Sequence, residues 1–448
     1  MYVNQSPLRV AAPRRAETRR GFALAARAAL VLAAVAALLF VPDARAHGGP
    51  ASRNAHHHRG RAPRGHAVSL PDQTALGLQW YDLTRAAVAA AALPEQVTQN
   101  RVWAVSWIAA ARAVEQRRDP AFQTAAFASA LHDALVALIP VQAPQLDAAL
   151  ATTLASVPGG GAKTAGIAAG QHAAAQELAA RAGDGLDTAS VDAPWTPPAP
   201  APGIYQLTPP TFGPVIRAGL PRARSFLLRS NDEFRAPPPP SLTSRRYLSS
   251  LAEVHEYGGA TGSARTPEQT DVANFIAQPS INAYVQVVRA AIADAHRPLV
   301  WQARLVAAFN AIEIDQQISI YDAKFTYVRW RPVTAIRTGT VDPDPTWTPL
   351  LATPLHPEYP SGHAGYAGTA QVLLSALVGP RPAQPVAVTS STDPGATRTY
   401  AAWSTLTQET VDGRVWEGVH FRFSDETAVR VGKTVARHDL RRLRRLGL

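Results

Sequence analysis

The 448-residue chain has no cysteine, and its one methionine is Met1. The first absence excludes disulfides, thiol catalysis, iron–sulfur clusters and cysteine-bound zinc together. The second means that a chain processed at its N-terminus carries neither sulfur side chain, the groups that strong oxidants modify most readily. Charge is sparse as well. Charged residues make up 17% of the chain and apolar residues 46%, a balance that excludes wholesale disorder and fits a large folded body. Beyond residue 46 no stretch approaches 18 uninterrupted apolar residues, so a set of membrane-spanning helices is not expected.

The formal charge of +11 is unevenly placed. Residues 1–66 hold eleven arginines against two acids, Glu17 and Asp43, and the remainder is nearly balanced, so no nucleic-acid partner is expected. Arg14, Arg15, Arg19 and Arg20 precede an apolar run from Phe22 to Val41, and Ala44-Arg45-Ala46 supplies small residues at a cleavage site. Residues 1–46 therefore read as an export signal, with a twin-arginine-like Arg19-Arg20. The expected location is periplasmic or secreted, with no stable membrane insertion after cleavage. Residues 47–70, rich in His, Arg and Gly, lack apolar periodicity and are expected to be disordered.

Residues 71–190 read as successive amphipathic helices: Trp80, Leu83 and Ala87 recur at helical spacing, as do Phe127, Leu131, Leu135 and Leu138. Proline dominates a connection over 191–240, including Pro237-Pro238-Pro239-Pro240, and excludes continuous helix there. Helix resumes over 241–448, where Thr266-Pro267-Glu268-Gln269 has the form of a capping box with proline in the first turn. The class is all-α, helical bundles joined by Pro-rich irregular connections.

Three segments of the last region carry chemistry. Lys324 and Arg331 are seven residues apart at the end of a helix that Pro332 stops, a spacing of about two turns that lets two long cations reach one anion. Ser361 precedes Gly362 and His363 where a helix N-cap is expected, which turns free amides, a hydroxyl and an imidazole towards a site suited to an oxyanion. Arg414 and His420 combine a guanidinium, able to grip a tetrahedral anion, with an imidazole able to attack or coordinate its central atom. Each alone also fits an ordinary helix face or cap.

Together, in this order and spacing, the three segments resemble the vanadium-dependent haloperoxidases and the related type 2 phosphatidic acid phosphatases, over about residues 240–430. The resemblance implies helical bundles of that type and assigns roles. Lys324, Arg331, Ser361, Gly362 and Arg414 would bind vanadate or phosphate. His363 and Lys324 would join His420 in catalysis, with His363 as acid–base and Lys324 polarising bound peroxide. His420 would be the axial vanadium ligand, or the nucleophile of a phosphatase. Family usage suggests His356 and Tyr321 as a halide pocket, with bromide or iodide favoured. The carboxylate that orients the axial histidine commonly lies four residues after it. Here Ser424 holds that place, and Asp425 is the candidate.

Vanadate and phosphate are both tetrahedral, so the motifs admit two chemistries. The first is a vanadate-dependent peroxidase taking hydrogen peroxide, a halide and a small organic acceptor. The second is a cofactor-free phosphatase acting on a phosphomonoester through phospho-histidine. A third reading is an inactive helical protein that binds phosphate or a polyanion. Expected export, the absence of multiple spanning helices, the wording around the motifs and the missing sulfur favour the peroxidase.

Overall fold

The structure, a computed structural model, describes residues 70–448. The export segment and nearly all of the His-rich tract lie outside the described residues. Six helices come first: α1 (Leu70–Ala90), α2 (Gln96–Glu115), α3 (Pro120–Leu138), α4 (Ala143–Ala155), α5 (Gly161–Ala180) and the single turn α6 (Thr188–Val191). After an irregular stretch come α7 (Arg245–Tyr257), α8 (Pro267–Ile276), α9 (Ser280–Ala295), α10 (Leu299–Tyr327), α11 (Pro332–Thr338) and α12 (Gly362–Leu377). A small antiparallel hairpin, β1 (Val386–Thr389) and β2 (Thr397–Tyr400), precedes α13 (Trp403–Trp416) and α14 (Arg422–Leu440). The class is all-α, as the periodicity predicts.

Local chemistry sets the helix starts. Asp119 caps α3 by accepting from the Phe122 amide at 2.8 Å, with Pro120 in the first turn. Thr266 and Gln269 form the predicted reciprocal capping box on α8. Close packing of α3 on α5 depends on Gly166 and Gly170. A methyl group at Gly170 would sit 2.5 Å from the Ala126 carbonyl oxygen. Among the described residues α3 is also the one helix long and apolar enough to cross a membrane, and 61% of that stretch is buried in the bundle.

The shaft of the molecule is α10. It is buried along almost its whole length and packs on α2, α12 and α14, so helices from 71–190 and from 241–448 share one core. The Pro-rich stretch is part of that body. Pro237 and Pro240 offer carbonyls that accept from the Tyr359 hydroxyl at 2.7 Å and the Arg329 guanidinium at 3.1 Å. Asp315 of α10 accepts from the amides of Phe226 and Leu227, each at 2.6 Å.

One local expectation fails. Helix α10 ends at Tyr327, four residues before Arg331, because Val328 adopts a left-handed conformation (φ 47°). The chain then runs extended against the connection: the Tyr205 amide donates to the Val328 carbonyl at 2.8 Å and the Trp330 amide to the Gly203 carbonyl at 2.9 Å. Lys324 therefore stands in the last turn of one helix, and Arg331 is the extended residue that precedes the next.

Replacing Gly170 by valine is expected to cost about 1–3 kcal/mol through overpacking of α3 against α5. Urea unfolding of the variant measures it; unchanged stability would show that the two helices are free to separate.

Candidate functional site

His420 is 1% exposed and sits in the short turn between α13 and α14. Gly418 makes that turn possible. Its φ is 79°, and a side chain there would collide with the Gly258 carbonyl, 2.4 Å from the first added carbon. Nδ1 of His420 lies 2.7 Å from a carboxylate oxygen of Glu358, which also accepts from the Phe421 amide at 3.2 Å. On the other side of the ring, Nη1 of Arg331 is 3.3 Å from Nε2. A guanidinium only donates, so Nε2 is the acceptor and the proton is on Nδ1, bound to Glu358. Burial, then the positive charges of Arg331 and Lys324, hold the imidazole pKa well below its usual value. The ring is therefore neutral, with its lone pair on Nε2.

This is the main correction to the sequence reading. The carboxylate on His420 is Glu358, from the loop before α12, and Asp425 does not take that part. Asp425 lies within the first turn of α14, fully buried, and faces Ser361. Burial pushes its carboxyl well above the usual carboxylate range. A signal for Glu358 existed, since it is the single acid between Asp344 and Asp393.

Around this histidine the structure gathers the other predicted residues. Lys324 is fully buried and its ammonium donates to the carbonyls of Pro357 at 2.9 Å and Glu358 at 2.8 Å, leaving a third proton. Burial, then neighbouring Arg331, holds its pKa well below that of an ordinary lysine. Arg331, equally buried, donates from Nε to the His356 carbonyl at 2.9 Å and from Nη1 to the Val419 carbonyl at 3.0 Å. Desolvation brings its pKa down to about 10. Arg414, on the last turn of α13, donates from Nη1 to Glu417 at 2.5 Å. Its Nε is buried and has no partner among the described residues.

Ser361 is the N-cap of α12, and its hydroxyl oxygen accepts from the Ala364 amide at 3.4 Å, as the sequence predicts. His363 follows in the first turn and donates from Nε2 to the Gln278 carbonyl at 3.1 Å, which leaves its lone pair on Nδ1. Burial, followed by the charge of Arg414, holds its pKa well below the ordinary value.

Gly362, His363, Arg414 and His420 line a cavity of about 200 Å³ that Tyr321 and His356 share. Lys324, Arg331 and Ser361 lie behind its surface. Three cations, a helix N-terminus and the buried Nε of Arg414, a donor with no acceptor among the described residues, fit a tetrahedral oxyanion.

Arg217 was not found from sequence. It comes from the Pro-rich connection, holds a left-handed conformation (φ 63°) with its amide donating to Asp192 at 2.9 Å, and lines the same cavity. Its guanidinium pairs with Glu95 and donates to the Tyr321 hydroxyl at 2.7 Å. Nδ1 of His356 lies 3.0 Å from Nη2 of Arg331 and 3.1 Å from the Pro357 carbonyl oxygen, and its Nε2 lies 3.2 Å from the Tyr321 oxygen. Tyr321 thus accepts from Arg217 and shares a hydrogen bond with His356.

Two expectations follow. Glu358→Gln removes the charge that fixes the His420 tautomer, and a 10- to 100-fold loss of oxyanion affinity is expected by titration calorimetry; unchanged affinity would show that Glu358 does not set the ring. Burial, partly offset by Arg414, pushes Glu417 up to about 7 from the model-peptide 4.5. A raised carboxyl stabilises the fold fully below pH 4.5, and that stabilisation falls away as pH rises to about 7, by about 3 kcal/mol. Urea unfolding at pH 4.5 and 8 should show a smaller decline in Glu417→Gln than in the parent; equal declines would overturn the assignment.

Residues 304–447 match the family model "VCPO second helical-bundle domain". The fold is similar to that of a crystal structure described as the first bacterial vanadium-dependent iodoperoxidase, with a TM-score of 0.71 and 20% identity over 81% of this chain and 96% of that one. A holo-type bacterial vanadium-dependent chloroperoxidase gives 0.60 and 18%, over 78% of this chain and 92% of the other. The apo-type chloroperoxidase gives 0.60 and 18%, over 79% and 95%. Comparison with curated proteins yields no significant sequence match. The chain thus carries a match to that helical-bundle domain over residues 304–447, and along most of its length it shares the fold of these structures.

Proposed function

We propose that this protein is an exported vanadate-dependent haloperoxidase that oxidises bromide or iodide with hydrogen peroxide to a hypohalous species, which passes to a small organic acceptor. The observation that carries the reading is the neutral His420, whose Nε2 lone pair is kept free of a proton by Glu358 on one side and Arg331 on the other. Metal ligation by imidazole needs that form of the ring. The peroxidase is preferred to the phosphatase because the compared structures, similar over nearly their whole length, are described as vanadium-dependent peroxidases.

Vanadate bound here would supply Lewis acidity that activates hydrogen peroxide towards a halide at constant oxidation state. His420 would hold the vanadium. Lys324, Arg331 and Arg414, with Ser361 and the Gly362 amide, would hold its oxygens and balance their charge. His363, its lone pair on Nδ1, is placed to take up and return a proton. Tyr321 and His356 form the wall available to the halide, and Arg217 fixes the Tyr321 oxygen there.

Purified protein stripped of oxyanion is assayed for bromination with hydrogen peroxide and for phosphomonoester hydrolysis, each with and without vanadate. Bromination that needs vanadate and disappears in His420→Ala is expected. Hydrolysis inhibited by vanadate would establish the phosphatase instead, and neither activity would leave a binding protein. Chloride oxidised as efficiently as bromide would count against the halide preference.

A further inference from the structure

Glu417 breaks a local rule. It stands at the C-cap of α13, where the helix dipole disfavours a carboxylate, and it is 1% exposed with Oε1 lacking any partner among the described residues. A buried acid at that end of a helix serves the fold poorly. Among the described residues its single charged contact is Arg414, three residues earlier on the same helix face. Of the cage cations Lys324, Arg331 and Arg414, only Arg414 has an ion-pair partner among the described residues.

Two consequences follow from this contact. Nη1 of Arg414 is occupied, so the Nε–Nη2 edge is the one left for a guest, and Nε is the nitrogen found without an acceptor. When ionised, Glu417 also cancels one unit of positive charge beside the cavity. We propose that Glu417 is a positioning residue that turns Arg414 edge-on to the oxyanion and lowers the affinity of the cage for dianions, so that the site exchanges its guest. This rests on the oxyanion-cage reading above and adds to it a residue that sets selectivity by ligand charge.

Charge is the property to test, because the energy of a fixed charge scales with the charge of the ligand. Sulfate and perchlorate are both tetrahedral, carry two and one negative charges, and do not titrate near neutrality. At pH 8 Glu417 is ionised in the parent, its carboxyl having been pushed up to about 7. Calorimetric titration of the full chain, stripped of oxyanion, is expected to show Glu417→Gln binding sulfate about tenfold and perchlorate about threefold more tightly than the parent. Glu417→Asp, which keeps the charge, should return to the parent values.

Equal changes for the two anions, no change, or weaker binding in Glu417→Gln would overturn the proposal and leave Glu417 a packing residue. Should Glu417→Gln lack a cooperative melt, Glu417→Leu removes the same charge along with the bond that turns Arg414, and the ratio of sulfate to perchlorate affinity must still rise above that of the parent. A parent that binds neither anion would overturn the cage itself, a result separate from a parent that binds both and a variant that matches it.

Discussion

Everything in the site turns on the bond between Glu358 and His420. A carboxylate on Nδ1 decides which nitrogen of the ring carries the proton, and a guanidinium opposite makes the same choice from the other side. Either alone would bias the tautomer; both together leave one form. The carboxylate is in turn tied to the backbone by the Phe421 amide, so the loop before α12 and the turn before α14 are fastened at the point where the chemistry is held. Two segments 62 residues apart are thereby one structural unit.

The cations depend on that unit more than on acidic partners. Lys324 and Arg331 spend their protons on carbonyls of Pro357, Glu358, His356 and Val419, all in the same two segments. Dipoles hold them in place without neutralising them, so their charge remains available to an anion. Arg414 is the exception, and its pairing with Glu417 gives the cage an adjustable side. The outer wall, Arg217 with Tyr321 and His356, repeats the device of a cation fixing the direction of a neutral donor.

Much of this was legible in the sequence where local rules act alone. Caps read correctly at Thr266 and Ser361 because an N-cap is settled within four residues. The three motifs could be taken as a set because their internal spacings are local too, and the structure brings their residues around one cavity. Sequence reasoning failed where a partner comes from far away. Asp425 looked right for His420 by proximity in the chain, yet the turn after Phe421 aims it at Ser361 and brings Glu358 in from a separate loop. The helix through Lys324 was expected to reach Arg331, but Val328 turns left-handed, and backbone bonds to Gly203 and Tyr205 hold the chain that follows extended. Arg217 was invisible for the same reason, since nothing near it in sequence announces a site.

The strip formed by Val328, Arg329 and Trp330 against Gly203 to Tyr205 has a bearing on how the connection behaves in time. Proline-rich polypeptide is commonly thought of as tether, loose and quick to open. Here its amides and carbonyls are spent on the residues that lead into Arg331, and its Asp315-bound amides are spent on the central shaft. Hydrogen exchange at Tyr205, Phe226 and Leu227 should then be as slow as inside a helix, because opening them means prising the connection off the molecule's own axis.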